Sequence, residues 1–180
     1  MAKKIILVIG PASCGKSEWA EYLASHSQKS VTYVATGTVY PDDAQWQAKI
    51  EHHIQRRPPS WQTLNVPIDL AATIANCKTE QCFLVDSLGT WLANLLEQND
   101  EAWEETVANL LDSLTEAEGE IIFVGEETGW GVIPAYPTGR LFRDRLGKLI
   151  RILGSKSDQV YLVTGGYVMD LSALGKPLPY

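Results

Sequence analysis

The sequence predicts an α/β fold in which a mostly parallel sheet is covered by helices on both faces. Two observations carry that expectation. Short apolar runs recur at residues 5–9, 31–35, 82–86, 121–125 and 160–164, and each is near-continuous rather than alternating. That is the pattern of strands buried on both faces. Helical apolar spacing fills the intervals, so strand and crossover alternate in the order that builds parallel sheets. In such folds ligands gather at the carboxyl ends of the strands, and residues just after each run are the functional candidates. A chain of 180 residues suits one domain, spanning 1–180, with a substantial core.

The first run, Ile5 to Ile9, leads into Gly10, Pro11, Ala12, Ser13, Cys14, Gly15, Lys16 and Ser17. These eight residues read G-x-x-x-x-G-K-S, the phosphate-binding loop, and they join a strand to a helix as that motif requires. Gly10 and Gly15 let the backbone curl so that successive N–H groups point at one phosphate chain. The helix that follows adds the positive end of its dipole. Lys16 reaches the β- and γ-phosphates, and the Ser17 hydroxyl ligates Mg²⁺. Nucleotide binding by residues 10–17 is the firmest expectation the chain offers. Cys14 reads as a filler at a variable position of the loop.

The second run, 31–35, is followed by Pro41, Asp42 and Asp43. Either aspartate would cap a helix reaching about Gln55, which Pro58 and Pro59 must end. Near its end stand His52 and His53, then Arg56 and Arg57. Adjacent side chains on a helix point about 100° apart, so the two imidazoles do not share one task. Cationic neighbours favour the neutral, nucleophilic ring, and both arginines suit a triphosphate. By composition alone the histidines read as solvated surface residues.

The third run closes on Asp86, where a Walker B acid would hold Mg²⁺; the same residue could cap the helix starting near Leu88. After the fourth run come Glu126, Glu127, Thr128, Gly129, Trp130 and Gly131. Two carboxylates before a glycine-rich stretch suit a lid or a second metal contact, or else a plain solvated loop. Apolar residues at 103, 107, 110, 111 and 114, and again from Leu141 to Leu153, mark two amphipathic helices. The second carries Arg140, Arg143, Arg145, Lys148 and Arg151, either a solvated face or a source of an arginine finger. Residues 164–169 could add a short last strand.

Composition narrows the class. A formal net charge of −7 argues against a nucleic-acid partner, which usually meets a basic face. No apolar run approaches the ~20 residues that cross a bilayer. Three cysteines, an odd number without metal spacing, suit a reducing cytoplasm.

These residues resemble, nearly throughout the chain and in order, the bifunctional adenosylcobinamide kinase / adenosylcobinamide-phosphate guanylyltransferase family of cobalamin assembly. The matching stretches are residues 10–17, 33–36, 49–53 with Arg57 and Pro58, Trp61, 84–88 with 91–96, 127–134, Arg143 with Asp144, and 160–163. The resemblance implies a three-layer P-loop NTPase fold similar to RecA, and two reactions on it. ATP or GTP phosphorylates adenosylcobinamide; then GMP passes from GTP, through a histidine, to the new phosphate. In the family the guanylylated histidine stands five residues before the proline of Arg-Pro, which places it at His53, with His52 the fallback. On this reading Lys16 is expected to be catalytic, Arg56, Arg57 and Glu127 to join the loop in binding nucleotide, and Ser17 with Asp86 to hold Mg²⁺. Family members are trimers, so a homotrimer is implied. The chain departs from the family pattern at Glu126 (commonly Asn), Thr128 (commonly Val), residues 135–139 and Ile150 (commonly Asn). A single-activity enzyme or a P-loop switch would be the alternatives.

Overall fold

A computed structural model describes residues 3–38, 51 and 55–178. Its elements run β1 (Lys4–Gly10), α1 (Lys16–Ser25), β2 (Ser30–Ala35), β3 (Gln62–Asn65), α2 (Leu70–Ala75), β4 (Gln81–Asp86), α3 (Leu88–Asn94), α4 (Asp100–Glu116), β5 (Glu120–Glu126), α5 (Pro137–Lys156), β6 (Gln159–Thr164), β7 (Tyr167–Asp170) and α6 (Leu171–Leu174). The described strands form one seven-stranded sheet in the order β3-β2-β4-β5-β1-β6-β7. All neighbours are parallel except β6 and β7.

Each predicted run is a strand, and the reason it reads as continuous is visible in β1. Ile5, Leu7 and Ile9 enter one core layer, with Leu70, Trp91, Trp103, Leu110 and Leu149 of the helices on that face. Ile6 and Val8 enter the other, with Ala20 and Ala24 of α1. Successive side chains point to opposite faces, and both faces are covered, so no position along β1 is left to be polar.

Three elements escaped sequence reading, the four-residue helix α6 among them. Edge strand β3 is exposed at all four residues, so Gln-Thr-Leu-Asn carries no apolar signature. Helix α2 is only six residues long, too short for its periodicity to show. The possible last strand is real: β7 returns antiparallel through Gly165 and Gly166, whose φ angles of 58° and 81° a two-residue hairpin turn demands. The helix expected from Asp42 or Asp43 to about Gln55 lies for the most part outside the described residues, and so do His52 and His53.

Candidate active site

At the end of β1 the chain must pass close under β6. A Cβ on Gly10 would stand 2.3 Å from the Val163 carbonyl oxygen, so only glycine fits. The loop then turns through Ser13 (φ 56°) and Gly15 (φ 93°), both left-handed, and α1 begins at Lys16. No side chain caps α1, which leaves its first-turn N–H groups for an anion. Ser17 stands half-buried in that turn. Lys16 is 8% exposed, and its Nζ donates to the Pro11 carbonyl at 3.3 Å, folded across the loop it serves. Pro11 is half-buried and Ala12 and Ser13 are exposed.

Asp86 ends β4, one strand beyond β5, which pairs with β1. Its Oδ2 accepts from the Tyr33 hydroxyl at 2.8 Å. Burial, and then the Asp86 charge, hold the Tyr33 phenol far above its usual range, so it stays a donor. Asp86 is not the helix cap the sequence allowed. Ser87 is, in a capping box with Thr90, because its side chain lies one residue nearer the helix start and accepts from the Thr90 N–H. Thr36, at the end of neighbouring β2, donates its hydroxyl to the Ser87 carbonyl at 2.7 Å and accepts from the Ser87 N–H at 2.9 Å. The intervening Asp86–Ser87 peptide is cis.

Glu126 ends β5, which lies between β1, the strand that leads to Lys16, and β4, which ends on Asp86. The Glu126 carboxylate accepts from the Ser87 hydroxyl at 2.5 Å and from the Gly89 N–H at 2.9 Å. Burial pushes this carboxyl up from its ordinary range, while the Ser87 bond and the Lys16 charge pull it back. Both oxygens therefore already hold protein donors. Glu127 is half-buried, its carboxyl raised by burial, and its N–H donates to the Gly10 carbonyl at 2.9 Å. The segment after β5 is thus joined directly to the phosphate loop.

Arg56 pairs with Glu18 and Glu21 of α1 at 2.8 and 2.9 Å. Arg57 lies over the Tyr33 ring, 3.3 Å from its centroid, and donates to Thr63. The chain just past the two histidines is therefore held against the P-loop helix and the Asp86 side of the sheet. Tyr33, Thr36 and Ser87 were missed by sequence reading. Tyr33 sits inside an apolar run, and nothing there marks its hydroxyl as reaching across to β4.

The basic cluster on α5 is not one face. Arg145 is buried, donating to the carbonyls of Leu96 and Gln98 and to Asp100, which corrects the finger reading for that residue. Arg140 and Arg143 hold the glycine-rich segment through the carbonyls of Pro134, Ala135 and Gly129. Ile150 is core and packs from α5 against Gly125. A cleft of about 1000 Å³ opens between α4 and α5, with Trp103 and Val107 on one wall, Ile150 on the other and Glu126 and Glu127 at its inner end.

Among the described residues no cluster of three or more His, Cys, Asp or Glu side chains forms a metal cage. The Ser17 hydroxyl and the Asp86 carboxylate, aligned by Tyr33, are hard oxygen donors of the kind that suits Mg²⁺ arriving on a triphosphate, which needs few protein ligands.

The pattern of a family described as cobinamide kinase / cobinamide phosphate guanyltransferase matches residues 6–171. The bifunctional adenosylcobalamin biosynthesis protein CobP of Pseudomonas aeruginosa is 37% identical over 174 residues, covering 96% of this chain and 98% of that one. The bifunctional adenosylcobalamin biosynthesis protein CobU of Escherichia coli is 32% identical, over 90% and 96% of the two chains. Its namesake in Salmonella typhimurium is 29% identical over the same shares. Among solved structures, a Pyrococcus horikoshii protein superposes with TM-score 0.56 at 9% identity, covering 93% of this chain and 85% of its own. A type III secretion ATPase from pathogenic bacteria does so at 0.56 and 10%, covering 95% of this chain and 53% of its own. These two speak to the fold alone.

Proposed function

The chain belongs to the cobinamide kinase / cobinamide phosphate guanyltransferase family, and from that premise we propose how its residues divide the two activities. It is a bifunctional enzyme of cobalamin biosynthesis: a nucleoside triphosphate, ATP or GTP, phosphorylates adenosylcobinamide, and GTP then gives GMP to the resulting phosphate. The observation that best supports the P-loop half is the glycine-bearing turn from β1 into α1, which begins at Lys16, with Asp86 and Glu127 at the carboxyl ends of the neighbouring strands β4 and β5 and the Glu127 N–H bonded to Gly10.

In the kinase step the loop amides of residues 10–17 hold the phosphate chain, and Lys16 neutralises charge between its β- and γ-phosphates. Ser17 and Asp86 would hold Mg²⁺, which supplies further charge neutralisation on the same oxygens. In the guanylyl step an imidazole nitrogen of His53 attacks the α-phosphorus of GTP. The P–O bond to pyrophosphate breaks, and a phosphoramidate joins GMP to the ring. The phosphate of adenosylcobinamide phosphate then attacks the same phosphorus, the P–N bond breaks, and His53 returns neutral. His52 is the alternative nucleophile. Arg56 and Arg57, held beside α1 and Tyr33, stand in the segment that follows and supply positive charge toward the triphosphate. The enzyme acts as a homotrimer, and its three free thiols, two of them buried, accord with a reducing cytoplasm.

The test uses GTP labelled on the α-phosphate. Wild type should retain acid-labile, alkali-stable label after denaturation, and His53→Ala should not. Label kept in His53→Ala but lost in His52→Ala moves the nucleophile by one residue. An unlabelled wild type that still phosphorylates cobinamide leaves a kinase alone.

A further inference from the structure

Between Lys16 and Asp86 stands a carboxylate that the two reactions above do not use. Glu126 sends its side chain from the end of β5 across to the β4–α3 junction, and its two oxygens take the Ser87 hydroxyl and the Gly89 N–H. Residue 89 is shaped for that reach. A Cβ there would stand 2.2 Å from Oε2 and 2.8 Å from the carboxyl carbon, so the contact exists only because Gly89 has no side chain. Gly89 itself is buried. On the other flank Thr36 grips Ser87 through both its backbone N–H and its carbonyl. The residue so clamped is the one that follows Asp86.

From this geometry we propose that Glu126 is a positioning residue, a brace that fixes the Asp86–Ser87 junction relative to Lys16 and so sets where Asp86 can meet a triphosphate-bound Mg²⁺. The inference rests on the kinase reading above and deepens it. Its physical content is that β5 separates β1 from β4, so the spacing of Lys16 and Asp86 depends on whatever ties β5 to the turn after β4. Backbone pairing of β4 and β5 runs only as far as Asp86 and Val124, two residues short of Glu126. Beyond it, Leu88 packs over Gly125, and the Glu126 side chain supplies hydrogen bonds from β5 to the turn that carries Ser87 and Gly89. Misplacement by an ångström is enough to cost about 100-fold in a transfer of this kind.

The brace needs hydrogen-bond acceptance and length, and tolerates loss of charge. Glutamine supplies both: its oxygen accepts from the Gly89 N–H while its amide donates to the Ser87 hydroxyl oxygen, which has lone pairs to spare. Alanine supplies neither, and aspartate is a methylene too short to reach both donors together.

The experiment compares full-length wild type, Glu126→Ala, Glu126→Gln and Glu126→Asp. ATP affinity is measured with a fluorescent ATP analogue with and without Mg²⁺, alongside cobinamide phosphorylation, far-UV CD and thermal melting. Wild type and Glu126→Gln should bind the nucleotide more tightly with Mg²⁺ than without it. Glu126→Ala should keep the Mg²⁺-free affinity, lose the gain from Mg²⁺, and phosphorylate with kcat reduced about 10- to 100-fold while KM for cobinamide holds. If the alanine variant does not fold, Glu126→Asp carries the same expectation. Wild-type Mg²⁺ gain and kcat in both Glu126→Ala and Glu126→Asp would overturn the brace while leaving the kinase reading intact. A Glu126→Gln variant as impaired as Glu126→Ala would overturn it too, since charge and not positioning would then be at work. A wild type that shows the Mg²⁺ gain, lost in Glu126→Ala, but phosphorylates nothing would keep the brace and remove the kinase reading.

Discussion

Lys16 concentrates the chemistry of the phosphate loop in one side chain. It is buried, and its ammonium is folded onto the Pro11 carbonyl, a neutral acceptor that a phosphate oxygen outcompetes. Lys16→Ala should abolish phosphorylation and guanylyl transfer together while far-UV CD stays unchanged. Persistent turnover with an intact spectrum would remove the role given to it. A different residue shows how burial acts where no function is at stake. Glu120, at the start of β5, is 9% exposed, and desolvation raises its carboxyl above the ordinary range, with Lys4 and Lys29 pulling it back. A raised carboxyl pKa favours the fold while the group is protonated, and that contribution is lost as pH rises through the folded-state value. Glu120→Gln stays neutral throughout. Wild type should therefore lose stability relative to Glu120→Gln as pH climbs from about 4 to 7, read by denaturant melts across that range. A constant gap would mean that the two lysines cancel the cost of burial.

At the scale of elements, the helices are placed by polar staples as much as by their apolar stripes. Arg145 is the clearest. From α5 it satisfies the carbonyls of Leu96 and Gln98 between α3 and α4, pairs with Asp100 at the first turn of α4, and lies 5.5 Å over Trp103. The Asp100 partner is 88% exposed, so the ion pair itself adds little; the two carbonyls matter more. Arg145→Ala leaves them without their donor and should cost about 2–4 kcal/mol by urea unfolding. Turnover per folded molecule should not change. A kcat lost at unchanged stability would instead restore Arg145 as a catalytic contact. The same division explains the glycine-rich segment after β5. Arg140 and Arg143 hold its backbone, while its side chains Trp130, Val132, Ile133 and Tyr136 stand exposed.

At the scale of the molecule, those apolar side chains are exposed, as are Tyr167 and Leu174 near the antiparallel edge. They accord with the proposed trimer. Sedimentation equilibrium at micromolar concentration should give about three times the 19.9 kDa chain mass, and Val132→Asp should shift the distribution toward monomer. A wild type that sediments as a monomer throughout would set the trimer aside.

The sequence by itself determined the strand set that forms the middle of the sheet, and it marked the loop from Gly10 to Ser17 as a phosphate cradle. Both are local facts: strand periodicity, glycine's freedom at φ 93°, and the residue types that reach a phosphate are all carried by neighbouring positions. Arg57 and Glu127 were candidates from residue type and position, whereas the role of His53 came from resemblance and composition alone gave the histidines none. Tertiary structure decided the pairings between elements distant in the chain. Tyr33 reaches Asp86, Glu126 reaches Ser87 and Gly89, and Arg145 leaves its basic neighbours for the interior. Each joins residues 37 to 53 positions apart, and a side chain's partner at that separation is set by how strands and helices are ordered around the sheet, which no local pattern records.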